Sequence, residues 1–288
     1  MKIVDLLTDR GIHLSCEVFP PKEFARVEEA REVVRGIAAL APAYVSVTYG
    51  AAGKTPQFTR ELSQTVQASG VPALAHLTCI NDNVSKIGQV LNDLETVGVT
   101  NVLALRGDIP EGETFPAGDH FEHAAQLVRY VKDRGGFCVG AACYPEGHPE
   151  APSRAADLDY LKAKVDAGVD FLTTQMFFDN ATLYNFMFRA LRAGVRVPIG
   201  AGVMPVVNAK QIKRIAALSG ATLPSRFRSI VDRFGEDPAS MRQAGVAYAT
   251  EQIIDLIANG VTNIHLYTMN RVDVAQDVFH NLGAILGR

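Results

Sequence analysis

The chain has 288 residues, 48% of them hydrophobic and 20% charged, and carries a formal net charge of −3. That balance predicts a soluble globular protein large enough for one barrel-sized domain, with no basic footprint for nucleic acid. No apolar run approaches the roughly 20 residues that a membrane span needs, and the charges inside "MKIVDLLTDRG" exclude a secretory signal.

The first predicted strand, "HLSCEVF" (13–19), carries one carboxylate, Glu17, and stops at two prolines. The next strands are "YVSVTYG" (44–50), "ALAHLTC" (73–79) and "VLALRGD" (102–108). After them come "CVGAACY" (138–144), "FLTTQMF" (171–177), "VPIGAGVM" (197–204) and "NIHLYTM" (263–269). Helical periodicity fills the gaps, as in "NVSKIGQVLNDLETV" and "DLDYLKAKVDAG", and a longer insertion over 206–262 holds extra helices before the eighth strand. Eight strict β/α alternations predict a single-domain α/β fold, a TIM-type (β/α)8 barrel spanning 1–288.

Strand parity then assigns faces. Leu14, Cys16 and Val18 oppose Ser15, Glu17 and Phe19, and Val45 and Val47 oppose Ser46 and Thr48. Leu103 and Leu105 oppose Ala104, Arg106 and Asp108, while Leu172 and Thr174 oppose Thr173 and Gln175. The bulky apolar faces are expected under the helices and the small or polar faces inside the barrel. Glu17, Thr48, His76, Asp108, Tyr144 and Gln175 then fall at or near C-terminal strand ends, where barrel enzymes place their chemistry.

Each candidate has a plain alternative. Glu17 is either a satisfied buried acceptor or, with desolvation raising its pKa, a general acid. Asp108 either holds a turn before "IPEG" or acts at the mouth. "RGD" closes a buried strand, so an adhesion role is set aside. "YGAAGKT" lacks the spacing of a phosphate loop, and "GAGVMP" supplies only part of a dinucleotide fingerprint. Asp157, Tyr160 and Lys164 share one side of a helix that is either a solvated charged face or a binding face. Cys16, Cys79, Cys138 and Cys143 show no CxxC pair, and His76 with Cys79 finds no second ligand pair. No metal is expected, and reduced thiols in a cytoplasmic protein fit best.

The runs "EVFPPK", "VSVTYGA", "HLTC", "LALRGD", "YPEGHPEA", "LKAKVDAG", "TTQMFFD", "PVVNAKQ" and "YTMNR" occur in order from residue 17 to residue 271. With them the chain resembles the methylenetetrahydrofolate reductases in their short bacterial form. The resemblance implies an FAD barrel that reduces 5,10-methylenetetrahydrofolate to 5-methyltetrahydrofolate. NADH or NADPH is the implied reductant, hydride transfer is ping-pong, and the product supplies methyl groups for methionine synthesis. It also implies a homo-oligomer acting on a small folate, without nucleic acid or membrane.

By the same resemblance, Glu17 is the general acid that opens the folate's five-membered ring, and Asp108 stands beside flavin and folate. Thr48, Tyr49, Ala51, His76, Arg106, Gly107, Ala124, Tyr144, His148, Ala151, Asp157, Tyr160 and Lys164 match cofactor-contacting positions, with Asp108 among them. Gln175, Gln211 and Arg271 match folate-contacting positions. Tyr160 stands where a shorter polar residue is common and Ala163 where a basic one is, which implies altered contacts at the adenylate end. The chain stops one helix after the eighth strand, so no C-terminal regulatory domain is expected. Two rival readings are a pterin-binding methyltransferase barrel without flavin and a non-catalytic folate-binding scaffold.

Overall fold

The computed structural model describes residues 1–21, 23–49, 56–80, 82–109 and 118–288. Eight parallel strands pair in chain order and close on themselves. They are β1 (His13–Val18), β2 (Val45–Val47), β3 (Ala73–Thr78), β4 (Asn101–Leu105), β5 (Cys138–Cys143), β6 (Phe171–Thr174), β7 (Ile199–Val203) and β8 (Asn263–Tyr267). The seam joins β1 to β8, with Cys16 opposite Leu266 and Glu17 opposite Tyr267.

A short helix, α1 (Ile3–Leu7), precedes β1. The crossover helices are α2 (Val27–Ala38), α3 (Pro56–Ala68), α4 (Val84–Thr96), α5 (Ala124–Arg134), α6 (Arg154–Asp166) and α7 (Asn180–Arg192). The expected insertion holds α8 (Ala209–Ser219), α9 (Ser225–Phe234) and α10 (Pro238–Ala258), and α11 (Val272–Asn281) follows β8. Side chains that favour N-caps start several of them: Asn83 accepts from the Lys86 N–H, Ser153 from Ala156, Asn208 from Lys210 and Gln211.

Two apolar layers hold the barrel. Leu14, Cys16, Val18, Val45, Val47, Leu77 and Leu266 face outward and pack with helix residues such as Val34, Leu62 and Leu91. Inside the N-terminal end, Tyr44, Leu74, Leu103, Cys138 and Phe171 form a second cluster with Ile3 and Leu7. Helix α1 is therefore a plug. Asn101 Oδ1 accepts from the Ile3 N–H at 2.9 Å, and Asn263 Nδ2 donates to the Leu7 carbonyl at 3.0 Å, so the plug's backbone is satisfied where it is buried.

The expected faces hold for β1 and β2 but reverse for β4. Val102 and Ala104 lie in the outer layer, while Leu103 points into the barrel. The interior of a barrel is itself a packed core, so bulk alone does not identify the outer face. Gly140 on β5 makes the room: a Cβ there would lie 3.0 Å from Leu103 Cδ1 and 2.6 Å from the Phe171 ring. The observed strands also stop earlier than the apolar runs do. Thr48, Arg106, Asp108 and Gln175 consequently lie in the loops beyond β2, β4 and β6. At Gly107, φ is +86° and an added Cβ would meet Ile80 at 2.9 Å, so the chain turns away from the strand there.

The glycines of "GAGVM" serve the same packing. A Cβ on Gly202 would lie 2.4 Å from the Thr174 carbonyl oxygen and 2.6 Å from the Tyr267 ring, whereas one on Gly200 would meet nothing closer than 3.6 Å. Gly202→Ala should therefore destabilise the barrel by about 1–3 kcal/mol, and Gly200→Ala should stay within about 0.5 kcal/mol of the parent. Urea midpoints measure both, and equal midpoints for the two variants would contradict the packing assigned here.

Candidate active site

Glu17 leaves β1 at the open, C-terminal end of the barrel, and its side chain is 19% exposed. The polypeptide around it is fixed from β8. Thr268 Oγ1 donates to the Glu17 carbonyl at 2.6 Å, and the Asn270 amide both accepts from the Phe19 N–H and donates to the Phe19 carbonyl, each at 2.9 Å. Met269 and Asn270 take left-handed backbone with φ of 53° and 57°, a conformation asparagine tolerates better than most residues. The "YTMNR" run thus holds the acid's own strand in place.

Below Glu17 the interior stays polar but closed. Ser15 Oγ lies 2.8 Å from His265 Nδ1 and Ser46 Oγ lies 3.2 Å from its Nε2, with the Tyr44 ring stacked on the imidazole. Tyr267 sends its hydroxyl to the Thr174 carbonyl at 2.6 Å. His76 comes inward from β3 with its Nε2 at 3.6 Å from Glu17 Oε2.

Their ionisation follows from burial. Loss of water pushes Glu17 up to about 8, and pushes His76 and His265 each down to about 3. For Glu17 and His76, desolvation of each charged form outweighs their mutual attraction. At neutral pH the two face each other as a carboxylic acid and a neutral imidazole, not as an ion pair.

A second cluster lies beside this one, above the ends of β4 and β5 and flanked by α5 and α6. A cavity of about 420 Å³ has Ala104, Arg106, Ala124, Tyr144, His148, Ala151, Asp157, Tyr160, Ala163 and Lys164 in its walls. That volume falls in the range of small-molecule sites. Asp157, Tyr160 and Lys164 of α6 all lie in the cavity wall. Lys164 Nζ donates to the Ala142 carbonyl at 2.6 Å. Burial lowers its pKa, and burial raises that of Asp157 against the pull of the lysine.

Arg106 is held by both Glu150 carboxylate oxygens at 2.6 and 2.8 Å. Glu150 is 62% exposed, so the pair adds little stability and chiefly fixes the guanidinium. Tyr144 meets His148 edge to face at 4.6 Å. Burial, reinforced by the charge of Asp108, pushes the Tyr144 phenol up to about 12.

The other candidates are more scattered. Asp108 is exposed in the loop after β4. Tyr49 donates to Asp82 Oδ2 at 2.6 Å. Gln175 Oε1 accepts from the Met176 N–H, and Gln211 opens α8 beside Met269. The Arg271 guanidinium is paired with Asp273 at 2.9 and 2.8 Å. Thr48 borders a larger opening of about 760 Å³, on the far side of Phe19 and Pro20. The polar groups in that wall are mostly exposed charges of the α2 side, so the smaller cavity with its buried lysine is the better-built site. Ala51 lies outside the described residues.

Sequence reading passed over His265 and Tyr267, although the alternation along β8 already put both on one face with Asn263. It also passed over Glu150, which no periodicity marks. Among the described residues no group of His, Cys, Asp or Glu could hold a metal ion, and no helix is long and apolar enough to cross a membrane.

Three comparisons bear on this site. The family model described as methylenetetrahydrofolate reductase matches residues 2–283. A 5,10-methylenetetrahydrofolate reductase of Pectobacterium carotovorum is 34% identical over 94% of this chain and 90% of its own. Methylenetetrahydrofolate reductase (NADH) 1 of Arabidopsis thaliana is 33% identical over 99% of this chain, which spans 51% of that longer protein. Among solved structures, an uncharacterized Clostridium thermocellum protein that binds two copies of 5-methyl-5,6,7,8-tetrahydrofolic acid superposes with a TM-score of 0.61 at 11% identity, covering 98% of each chain. At that identity it bears on the fold alone.

The buried groups set how stability responds to pH. The unfolded chain protonates both histidines below about 6.5, while the barrel refuses those protons down to about 3. Their contribution is full above 6.5 and is lost as pH falls through that window. Glu17 works oppositely. Its folded value of about 8 exceeds the ordinary 4.5, so its contribution is full below 4.5 and is lost as pH rises through 8. Urea midpoints should therefore decline on both sides of about pH 6.5, and Glu17→Gln should flatten the alkaline side while steepening the acid side above 4.5. A parent alkaline limb unchanged by that substitution would contradict the assignment.

Proposed function

This chain belongs to the methylenetetrahydrofolate reductase family, and on that premise we propose that it reduces 5,10-methylenetetrahydrofolate to 5-methyltetrahydrofolate. NADH or NADPH is the reductant, turnover is ping-pong, and the product serves methionine synthesis. The observation that carries the reading is Glu17, the lone carboxyl group of β1, mostly buried at the barrel mouth and 3.6 Å from the His76 imidazole. Residues 1–288 work as one catalytic barrel. Four buried, unpaired cysteines suit a cytoplasmic setting.

The residues present fit the cofactor. The 420 Å³ cavity has a wall of alanines, Ala104, Ala124, Ala151 and Ala163, against which a flat ring system can lie. Among the described residues Lys164 makes one hydrogen bond, to Ala142, and an ammonium has three donors, so two are left for an anionic group. Arg106, steadied by Glu150, adds a second cation in the same wall. Tyr160 replaces the short polar side chain that the family resemblance led us to expect and offers its ring at the edge. Bound FAD would supply the hydride transfer itself.

The protein's own part is orientation and one proton. The methylene bridge of the folate joins two nitrogens and accepts hydride poorly until one C–N bond opens. Glu17 gives its proton to the departing nitrogen, and burial has already placed its pKa near the working pH, where a general acid is most effective. Asp108, whose charge reaches both Arg106 and Tyr144, favours cationic folate species nearby. Gln175 from the loop after β6, Gln211 from the first turn of α8 and Arg271 from the loop after β8 bind the rest of the folate. A colourless folate-binding scaffold would have no use for an acid held protonated.

Glu17→Gln separates the two halves of the cycle. Reduction of FAD-loaded variant by the nicotinamide should proceed as in the parent, because no acid is needed there. Reoxidation by methylenetetrahydrofolate should slow roughly 10²–10⁴-fold, about 3–5 kcal/mol of barrier. Rapid mixing of pre-reduced protein with folate measures it. A parent that takes up no FAD, or a variant that reduces folate at the parent rate, would overturn the proposal.

A further inference from the structure

His76 is a buried ionisable group to which the proton transfer above gives no part. It is 6% exposed, and its Nε2 has no hydrogen-bond partner among the described residues. Glu17 Oε2 lies 3.6 Å from that nitrogen, just outside hydrogen-bond reach.

The other groups facing the pair are already committed. From β8, Tyr267 donates to Thr174, and both nitrogens of His265 lie against serine hydroxyls. Tyr44 stacks on His265, and Tyr144 pairs with His148. None of these carries a charge at neutral pH, and a carboxylate formed at Glu17 has the His76 imidazole as a neutral donor 3.6 Å away.

We propose that His76 is a positioning residue for the general acid, its Nε2–H donating to the Glu17 carboxylate formed once the proton has moved to the folate nitrogen. In that step the Glu17 O–H bond breaks, a folate N–H bond forms, and His76 keeps its own proton. Glu17 regains a proton from solvent before the next turnover. A buried N–H without a partner is unfavourable in any static arrangement. Here the partner arises only when Glu17 ionises, and a movement of a few tenths of an ångström completes the bond. Burial keeps the imidazole neutral, so it donates without competing as an acid.

The inference rests on the folate reaction proposed above, and the test separates the two. Parent, His76→Leu and His76→Gln are loaded with FAD, pre-reduced, and mixed with methylenetetrahydrofolate across a range of pH. Leucine removes the donor, so the Glu17 carboxylate is harder to form. The alkaline limb of the folate step should move up by about one pH unit or more, with roughly a tenfold loss of rate at neutral pH. Glutamine keeps an N–H and should restore most of both.

The alkaline limb of the urea-midpoint curve, measured without cofactor or substrate, should move the same way in His76→Leu. Limbs that coincide in all three proteins overturn the proposal. So do leucine and glutamine variants equally slowed in flavin reduction and folate reduction, which would make His76 a cofactor contact only. A parent inert toward folate overturns the reading beneath it as well.

Discussion

A carboxyl group held mostly out of water at the open end of a parallel barrel is the constraint that organises this molecule. Water is excluded from below by α1, whose Ile3 and Leu7 close the interior against Tyr44, Leu74 and Phe171. It is excluded from the sides by the Tyr267 ring, which fits only because Gly202 leaves room. The backbone that carries Glu17 is held by Thr268 and Asn270 from the opposite side of the seam. With solvent withheld, the neutral acid is the favoured form, and the neighbouring histidines are neutral for the same reason. The cost is stability that falls away on either side of neutrality.

Under the proposed function, acid chemistry and cofactor binding would occupy adjacent but different parts of the mouth. Glu17 and His76 stand on β1 and β3, whereas the cavity with Lys164, Asp157 and Arg106 opens above β4 and β5. The first cluster is neutral, and the second sets Arg106 and Lys164 beside Glu150 and Asp157 among alanines. The division suits a cycle in which hydride and proton arrive at the folate from separate sources.

Much of the fold could be read from periodicity. All eight strands lie where alternation put them, because fully buried parallel strands leave apolar runs bounded by glycine and proline. Their ends were less legible: "VLALRGD" continues as an apolar-rich run, but Gly107 turns the chain, so Arg106 and Asp108 belong to a loop. The faces of β4 were misread because a glycine on a neighbouring strand decides where Leu103 fits, and that is a contact between residues 37 apart in sequence (103 and 140). Glu17 was legible as a lone acid on an apolar strand ending in prolines. The Arg106–Glu150 pair and the Asn270 clamp were not, since each joins loops that come together only when the barrel closes. The role of α1 as a plug was equally hidden, because five residues carry too little periodicity to show a face.

The account stands or falls on the protonation state of Glu17 in the folded protein. Difference infrared spectra between the parent and Glu17→Gln, recorded without cofactor near pH 7, report it directly. The expected result is a carboxylic-acid carbonyl band present in the parent, absent in the variant, and titrating away with a midpoint near 8. A parent spectrum that shows only carboxylate bands for this residue at neutral pH would contradict the claim that the barrel keeps its acid dry.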